Sequence, residues 1–298
     1  MMVVLSSLRL WAGAMRLHQW LKNLLIFVPL LVSHRMGTPG ALADGIVAYV
    51  LFGLCASSAY LLNDLLDLAS DRRHPSKSRR PLAAGLISLR SARVAVPVLL
   101  ACAFAGAVWR LPWQFTTAMA TYYVVTVTYS FWLKRLMMVD VVTLAMLYTI
   151  RIIAGTLLFH LVMTFWMLAF SMFIFLSLAL VKRYAELLGA RNRGDKERPG
   201  GRGYYAGDLG MLASLGAASG YLSVMVLALY IQDPNTAALY GNPRVIWLAC
   251  PLLMYWVSRV WVLTHRGEMN DDPVVFAIRD RVSLLVGGLF GLVFWLAV

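Results

Sequence analysis

Asn63, Asp64, Asp67, Asp71, His74, Lys77, Arg79, Arg80 and Pro81 fall within nineteen positions, and no other stretch of the chain is so dense in groups able to do chemistry. If the apolar run before them continues as a helix past Leu62, Asp64, Asp67 and Asp71 stand at i, i+3 and i+7 and share one face. Three carboxylates so placed repel one another, and a hard divalent cation relieves that cost. Mg²⁺ takes oxygen ligands and commonly combines one or two carboxylates with substrate phosphates. The cations that follow provide a phosphate grip, Arg as a planar fork and Lys as a point charge. The plain alternative is a solvated loop whose acids pair with its own arginines. Against it, Asn63 and Asp64 directly abut an apolar run, where ionisable groups are costly and usually functional.

The elements that must position these groups are membrane helices. Of the 298 residues, 60% are hydrophobic and 14% charged, against about 25% charged in an ordinary soluble domain. A chain this short cannot hide so much apolar surface from water. A membrane helix needs about 20 mainly apolar residues. Such runs occur at 20–34, 41–62, 92–110, 113–132, 137–158, 161–181, 209–231, 245–264 and 282–298, so the expected fold is an all-α polytopic bundle of about nine transmembrane helices in one domain, 1–298. Its polar loops lie near 63–93 and 182–208. Trp20, Trp109, Trp113, Trp132, Trp247 and Trp261 fall near the expected ends, as in an aromatic belt at headgroup level. Lys and Arg of short loops are retained on the cytoplasmic side. With an inside N-terminus, 23 of the 27 basic residues fall on that side. The expectation is therefore a multi-pass protein of the cell inner (plasma) membrane, with the N-terminus and the reactive loops cytoplasmic and Val298 outside.

The remaining features narrow the reading. A net charge of +13 raises nucleic acid as a partner. The basic residues sit in two interhelical loops rather than on a separable arm, so no nucleic acid is expected, and the excess is assigned to topology and to anionic substrate or headgroups. Cys55, Cys102 and Cys250 lie in apolar runs and read as small buried hydrophobes; no zinc spacing occurs. Residues 5–18 read as an interfacial helix rather than a signal peptide. Asp140 and Arg151 are eleven residues apart, nearly the same helical face about 16 Å further along, and neither should face lipid. Asp140 is a candidate second metal ligand or an orienter of the attacking group. Arg151 is a candidate holder of an anionic lipid phosphate or a partner of a neighbouring helix. His18 and His265 read as interfacial.

The run Asn63-Asp64-Leu65-Leu66-Asp67, then Asp71, His74-Pro75, Lys77 and Arg80-Pro81, resembles the first aspartate motif of the UbiA-type intramembrane transferases. It is most similar to the branch that includes the decaprenyl-phosphate phosphoribosyltransferases. Tyr129 to Lys134 followed by Asp140, Arg151 with Ala154-Gly155, Lys182-Arg183-Tyr184-Ala185-Glu186-Leu187, and Asp280-Arg281 are also similar to that branch. The resemblance covers about residues 16–285. It departs from members that use a prenyl diphosphate, which carry a second aspartate-rich motif after the sixth helix. Here Lys182, Arg183, Tyr184 and Glu186 stand in that place, followed by Arg191, Arg193, Asp195, Lys196 and Arg198. A cationic loop suits a donor with more phosphate to neutralise, or it only sets topology.

What the resemblance implies is a Mg²⁺-dependent transfer of phosphoribose from 5-phosphoribosyl diphosphate to a polyprenyl phosphate, in cell-envelope biosynthesis. Asp64, Asp67 and Asp71 would hold the metal and, with Asp140, form the catalytic set. Lys22, Asn63, His74, Lys77, Arg80, Tyr129, Lys134, Arg151, Lys182, Arg183, Tyr184 and Glu186 would contact substrate. The alternatives are prenyl transfer from a prenyl diphosphate to an aromatic or other acceptor, and transport of a phosphorylated solute or lipid. The topology has a direct test. A label-accessible cysteine at Ser78 or Gly194 should react only from the cytoplasmic side and one at Asn235 only from the opposite side; labelling of Ser78 and Asn235 from the same side breaks the nine-helix scheme.

Overall fold

The computed structural model describes residues 2–33, 35–73, 77–194, 203–233, 240–269 and 272–298, with side chains from Leu8 onward. His74 and Asn235 lie outside the described residues. Those described form helices joined by short turns, with no strand among them. The helices are α1 (Met2–Ala14), α2 (Val28–Val32), α3 (Ala41–Leu66), α4 (Leu68–Arg73), α5 (Leu89–Arg110), α6 (Trp113–Phe131), α7 (Val139–Leu158), α8 (Phe165–Asn192), α9 (Leu209–Gln232), α10 (Ala249–His265), α11 (Pro273–Arg279) and α12 (Arg281–Ala297). A 3₁₀ segment, Leu17–Phe27, runs directly into α2.

Among the described residues, each of the nine expected runs falls mainly on helix. Six spans are long and apolar enough to cross a bilayer: α3, α5, α7, α8, Ala206–Gln232 and Pro243–His265. The pair α11 and α12, bent by 80°, makes a seventh if it is one span. The other two runs fall short for different reasons. Leu17–Val32 is a shorter apolar helix. The 19 residues of α6 include Gln114, Ser130, five threonines and three tyrosines. Its Thr121, Thr126, Thr128 and Ser130 hydroxyls bond the carbonyl four residues back, so these polar groups are satisfied within the helix.

The chain packs as two compact units, residues 1–131 with 150–162, and 132–149 with 163–298. In the first, α3 is the central element. Phe52, Cys55, Ala56, Ala59 and Leu61 are buried, as are Ala92, Ala103 and Ala107 of α5 and Phe115, Met119 and Tyr122 of α6. Small residues let backbones approach where lipid gives no hydrophobic drive between helices. A Cβ on Gly53 would lie 2.5 Å from the Trp20 ring, and one on Gly45 would lie 2.4 Å from Phe27. These glycines are the slots into which the 3₁₀ segment presses its aromatics. Trp20 Nε1 then donates to Ser57 Oγ (2.9 Å), which donates to the Met15 carbonyl (2.8 Å).

In the second unit, α8 and α9 pack along their lengths and α10 lies against α9. Trp261 seats on Gly216, where a Cβ would come within 2.0 Å of its ring. Ser177 Oγ accepts from Trp261 Nε1 (3.1 Å) and donates to the Gly216 carbonyl (2.7 Å). At the corner between α11 and α12, Asp280 caps α12 through the Ser283 N–H (2.8 Å) and pairs with Arg259 on α10 (2.6 Å).

Two sequence expectations change. Trp109, Trp113, Trp132 and Trp247 are exposed, as belt residues should be, but Trp20 and Trp261 are hydrogen-bonded packing residues. Cys55 and Cys250 are buried and Cys102 is exposed, because only 17% of the apolar window of α5 is covered by protein.

Gly155 of α7 gives the sharpest packing test. A Cβ there would lie 2.1 Å from the Ile26 carbonyl oxygen, a backbone atom that cannot swing away. Ala in a helix is otherwise better than Gly by about 1 kcal/mol. Gly155→Ala should therefore lower the thermal unfolding midpoint in detergent, at a cost of about 1–3 kcal/mol for overpacking; an unchanged or raised midpoint would mean that this approach does not limit stability.

Candidate active site

In the first unit the aspartate motif begins on the last turn of α3. Asp67 ends that helix at φ −89°, ψ 4°, and α4 follows at once. The hydrogen-bond register runs through the break, Asp67 N–H to the Asn63 carbonyl (2.9 Å) and Asp71 N–H to the Asp67 carbonyl (2.8 Å). Asp64 and Asp71 are thereby turned to one side. Both are buried, 4% and 2% exposed. Burying carboxylates is costly unless they are paired, and here the partners are arginines. Arg80 Nη1 lies 3.1 Å from Asp64 Oδ1 and 2.5 Å from Asp71 Oδ2, spanning the two acids. Arg16 bonds the same Asp64 oxygen.

The path by which Arg16 arrives is not written in any motif. It sits at φ 51°, ψ 50° in the turn after α1, a left-handed conformation unusual for a bulky residue. The Ser57 hydroxyl holds the Met15 carbonyl just before it, and the Tyr60 ring lies 5.2 Å from its guanidinium carbon. The three-carboxylate set expected at i, i+3 and i+7 is not what the described residues show. Asp64 and Asp71 converge on Arg80, and no group of three or more His, Cys, Asp or Glu is arranged to hold a metal. Two buried hard-oxygen donors facing one cation still fit Mg²⁺, which completes its shell with substrate phosphates and water. Asn63, Asp67, Lys77 and Tyr129 are half-buried and Lys22 is buried, while His74 lies outside the described residues.

Arg151 has its own surroundings in this unit. It donates to Asn23 Oδ1 (3.1 Å) and the Tyr122 hydroxyl (2.9 Å), with its guanidinium carbon 4.5 Å from the Tyr122 ring and 5.4 Å from that of Phe52. It is 3% exposed and Asn23 1%. Aromatic faces and an amide thus solvate a charge that lipid would not.

The second unit collects the other candidates. Asp140 opens α7, 0% exposed, with its carboxylate 2.7 Å from Arg183 Nη2 of α8. Arg183 is 2% exposed and also pairs with Glu186. The missing partner in the sequence reading is Tyr204, whose hydroxyl donates to Asp140 Oδ1 (2.5 Å) and accepts the Met138 N–H (2.8 Å). Burial, and then the hydrogen bond to Asp140, push the Tyr204 phenol well above its usual range, so it stays a donor. Met138 itself has φ 64°, and a Cβ on Gly203 would stand 3.2 Å from Met137; the Gly203-Tyr204 pair is the faint sequence signal for this contact. Asp140 and Arg151, eleven residues apart on α7, are both buried and each has its own partners.

Lys182 leads a separate group. Its Nζ lies 3.1 Å from Asp272 Oδ2, and the Tyr148 hydroxyl donates to the same carboxylate (3.2 and 3.3 Å). Asp272 also caps α11 through the Val274 N–H (3.2 Å). Asp272 and Tyr148 were not legible as site residues, although Asp followed by Pro before an apolar run is a helix-start signal. Tyr184 turns away from both groups, its hydroxyl 2.9 Å from His265 Nδ1. Lys134 is half-buried in the turn before α7.

Residues 26–285 match the profile of the UbiA prenyltransferase family. This chain belongs to that family. It is thus a membrane-embedded, all-helical UbiA-family transferase, and the transporter alternative gives way. Among its relatives, the uncharacterized protein y4nM of Sinorhizobium fredii is 38% identical over 96% of the chain, which spans only 55% of y4nM. The nodulation protein NoeC of Azorhizobium caulinodans is 36% identical over 95% of the chain and 92% of its own length. A decaprenyl-phosphate phosphoribosyltransferase of Mycolicibacterium smegmatis is 31% identical over 90% of the chain and 86% of its own length. The solved UbiA homolog from Archaeoglobus fulgidus bound to GPP and Mg²⁺ superposes with a TM-score of 0.69 over 97% of this chain and 99% of that one, at 16% identity. At that identity the likeness is one of UbiA fold.

The buried network of the second unit has a measurable consequence. Asp140→Ala leaves the Arg183 charge in a dry site with less to balance it, which costs about 3–5 kcal/mol when a buried pair is broken. Asp44→Ala removes the partner of Arg110 in a pair whose side chains are 35% and 50% exposed, worth about 0–1 kcal/mol. Unfolding in detergent should separate the two variants clearly; similar midpoints would mean that water reaches Arg183.

Proposed function

We propose that this UbiA-family transferase moves phosphoribose from 5-phosphoribosyl diphosphate to a polyprenyl phosphate, releasing diphosphate, on the cytoplasmic side of the inner membrane. The observation that carries the reading is the convergence of Asp64, Asp71, Arg80 and Arg16 at the end of α3. The arginines pair with the two buried carboxylates and gather them at one point, and their remaining N–H groups are forks suited to phosphate. Mg²⁺ held by Asp64 and Asp71 would supply positive charge to the departing diphosphate.

An oxygen of the lipid phosphate attacks C1 of the ribose while the bond from C1 to the diphosphate oxygen breaks, its electron pair leaving with the diphosphate. C1 passes through oxocarbenium character, so the demand on the protein is to stabilise the leaving anion rather than to remove a proton. The acceptor is already anionic at neutral pH and needs no strong base. Arg151, 3% exposed and held by Asn23 and Tyr122, is assigned to bracing its neighbours rather than to the lipid phosphate. For the 5-phosphate we assign Lys182, whose side chain is 30% exposed, rather than the 2% exposed Arg183. The choice of a ribosyl donor draws support from the relatives named decaprenyl-phosphate phosphoribosyltransferase and from the cations of the loop after α8. The cytoplasmic placement rests on the distribution of Lys and Arg among the loops.

The test is a product assay on purified protein with labelled 5-phosphoribosyl diphosphate and a polyprenyl phosphate. The wild type should form a lipid-linked phosphoribose, and Asp64→Asn should nearly abolish it. Lys182→Ala should raise the donor KM by about 10- to 150-fold, the equivalent of about 1.5–3 kcal/mol for a hydrogen bond to a charged group, with little change in the lipid KM. A donor lacking the 5-phosphate should be penalised less by that substitution. Turnover of a prenyl diphosphate with none of the ribosyl donor would assign prenyl transfer instead.

A further inference from the structure

The proposed reaction leaves one cleft without a role. Tyr184 of α8, Ala213 and Ala217 of α9, and Trp261, His265 and Arg266 at the end of α10 line a space of about 290 Å³. It persists because its walls are fixed. Trp261 is tied to Ser177 and seated on Gly216, and Tyr184 is held by His265 Nδ1 and packs edge-on against Trp261 with ring centroids 6.0 Å apart. Ala213 and Ala217, one helical turn apart, present no side chain long enough to fill it. At the mouth His265 and Arg266 are exposed, and none of the lining residues is acidic. The helix that carries Tyr184 ends at Asn192, with Arg191 and Arg193 exposed there.

We infer that this cleft seats the phosphodiester headgroup of an anionic phospholipid from the surrounding bilayer. Arg266 offers a planar fork to the phosphate oxygens. In the tautomer in which the Tyr184 hydroxyl donates to Nδ1, the His265 Nε2–H is a second donor. Pockets that enclose a drug-sized molecule run to about 300–1,000 Å³, so this one takes the phosphate, the glycerol and the first methylenes, with Trp261 and the 48% exposed Val262 as apolar walls. The acyl chains stay in the bilayer. With no acidic lining residue a phosphate meets no like charge in the cleft, and basic pockets between membrane helices are a recurring mode of anionic lipid recognition. The inference stands apart from the transfer reaction and from the identity of its donor.

Native mass spectrometry and lipid titration of the purified protein test it, with phosphatidylglycerol, phosphatidylcholine and a polyprenyl phosphate as probes. Phosphatidylglycerol should bind about tenfold or more tighter than phosphatidylcholine. Arg266→Ala, a surface change that leaves the packing intact, should remove that preference by an order of magnitude, as expected for one charge-assisted contact. Ala217→Leu should block the cleft with the same result and an unchanged circular dichroism spectrum. Equal affinity for the two phospholipids, or a preference that survives Arg266→Ala, would overturn the inference. So would selective seating of the polyprenyl phosphate in this cleft, which would make it part of the acceptor site.

Discussion

Two carboxylates without free access to water need cationic partners at the end of a membrane helix, and the first unit is organised around that demand. Asp64 and Asp71 survive there because Arg80 bridges them and Arg16 adds a second cation to Asp64. Each arginine is delivered by a separate device. Arg80 follows a single 3₁₀ turn, Lys77–Arg79, with its N–H on the Lys77 carbonyl. Arg16 depends on a left-handed turn whose preceding carbonyl is pinned by Ser57, and Ser57 is oriented by Trp20, which fits only because Gly53 has no side chain. A glycine in the middle of α3 therefore bears on the ion pair of an aspartate eleven residues further along.

That chain of dependence marks the limit of what the sequence made legible. The helices were readable because a bilayer imposes length and hydrophobicity on every crossing. Their helical character came through even at α6, where threonines satisfy themselves locally. The density of acids and bases at 63–81 marked the site for the same reason, since ionisable groups at the edge of an apolar run need an explanation. Arg16, Tyr204 and Asp272 escaped. Each reaches its partner over 48 or more positions, through backbone geometry that leaves no spacing to detect. Spacing on α7 did indicate that two charges turn away from lipid, and both are buried. What it left open was their partners: Asp140 is committed to Arg183, and Arg151 to Asn23 and Tyr122.

The buried Arg183 and the half-exposed Lys182 are adjacent in sequence and differ in chemistry in a way their burial explains. On an α-helix neighbours point about 100° apart, since 3.6 residues make a turn, so one can face the interior while the other faces the rim. Arg is the better choice inside: its planar fork bonds Asp140 and Glu186 together, and it does not shed its proton when dehydrated. Lys is the better choice at the rim. Its flexible stem and compact charge allow it to rest on Asp272, itself fixed by Tyr148 and the start of α11, and to exchange that partner for another anion at little cost in packing. The cation substituted for the missing second aspartate motif is thus not an unbalanced charge. Its carboxylate is supplied from ninety residues away, which keeps an ordered, electrically compensated group beside α8.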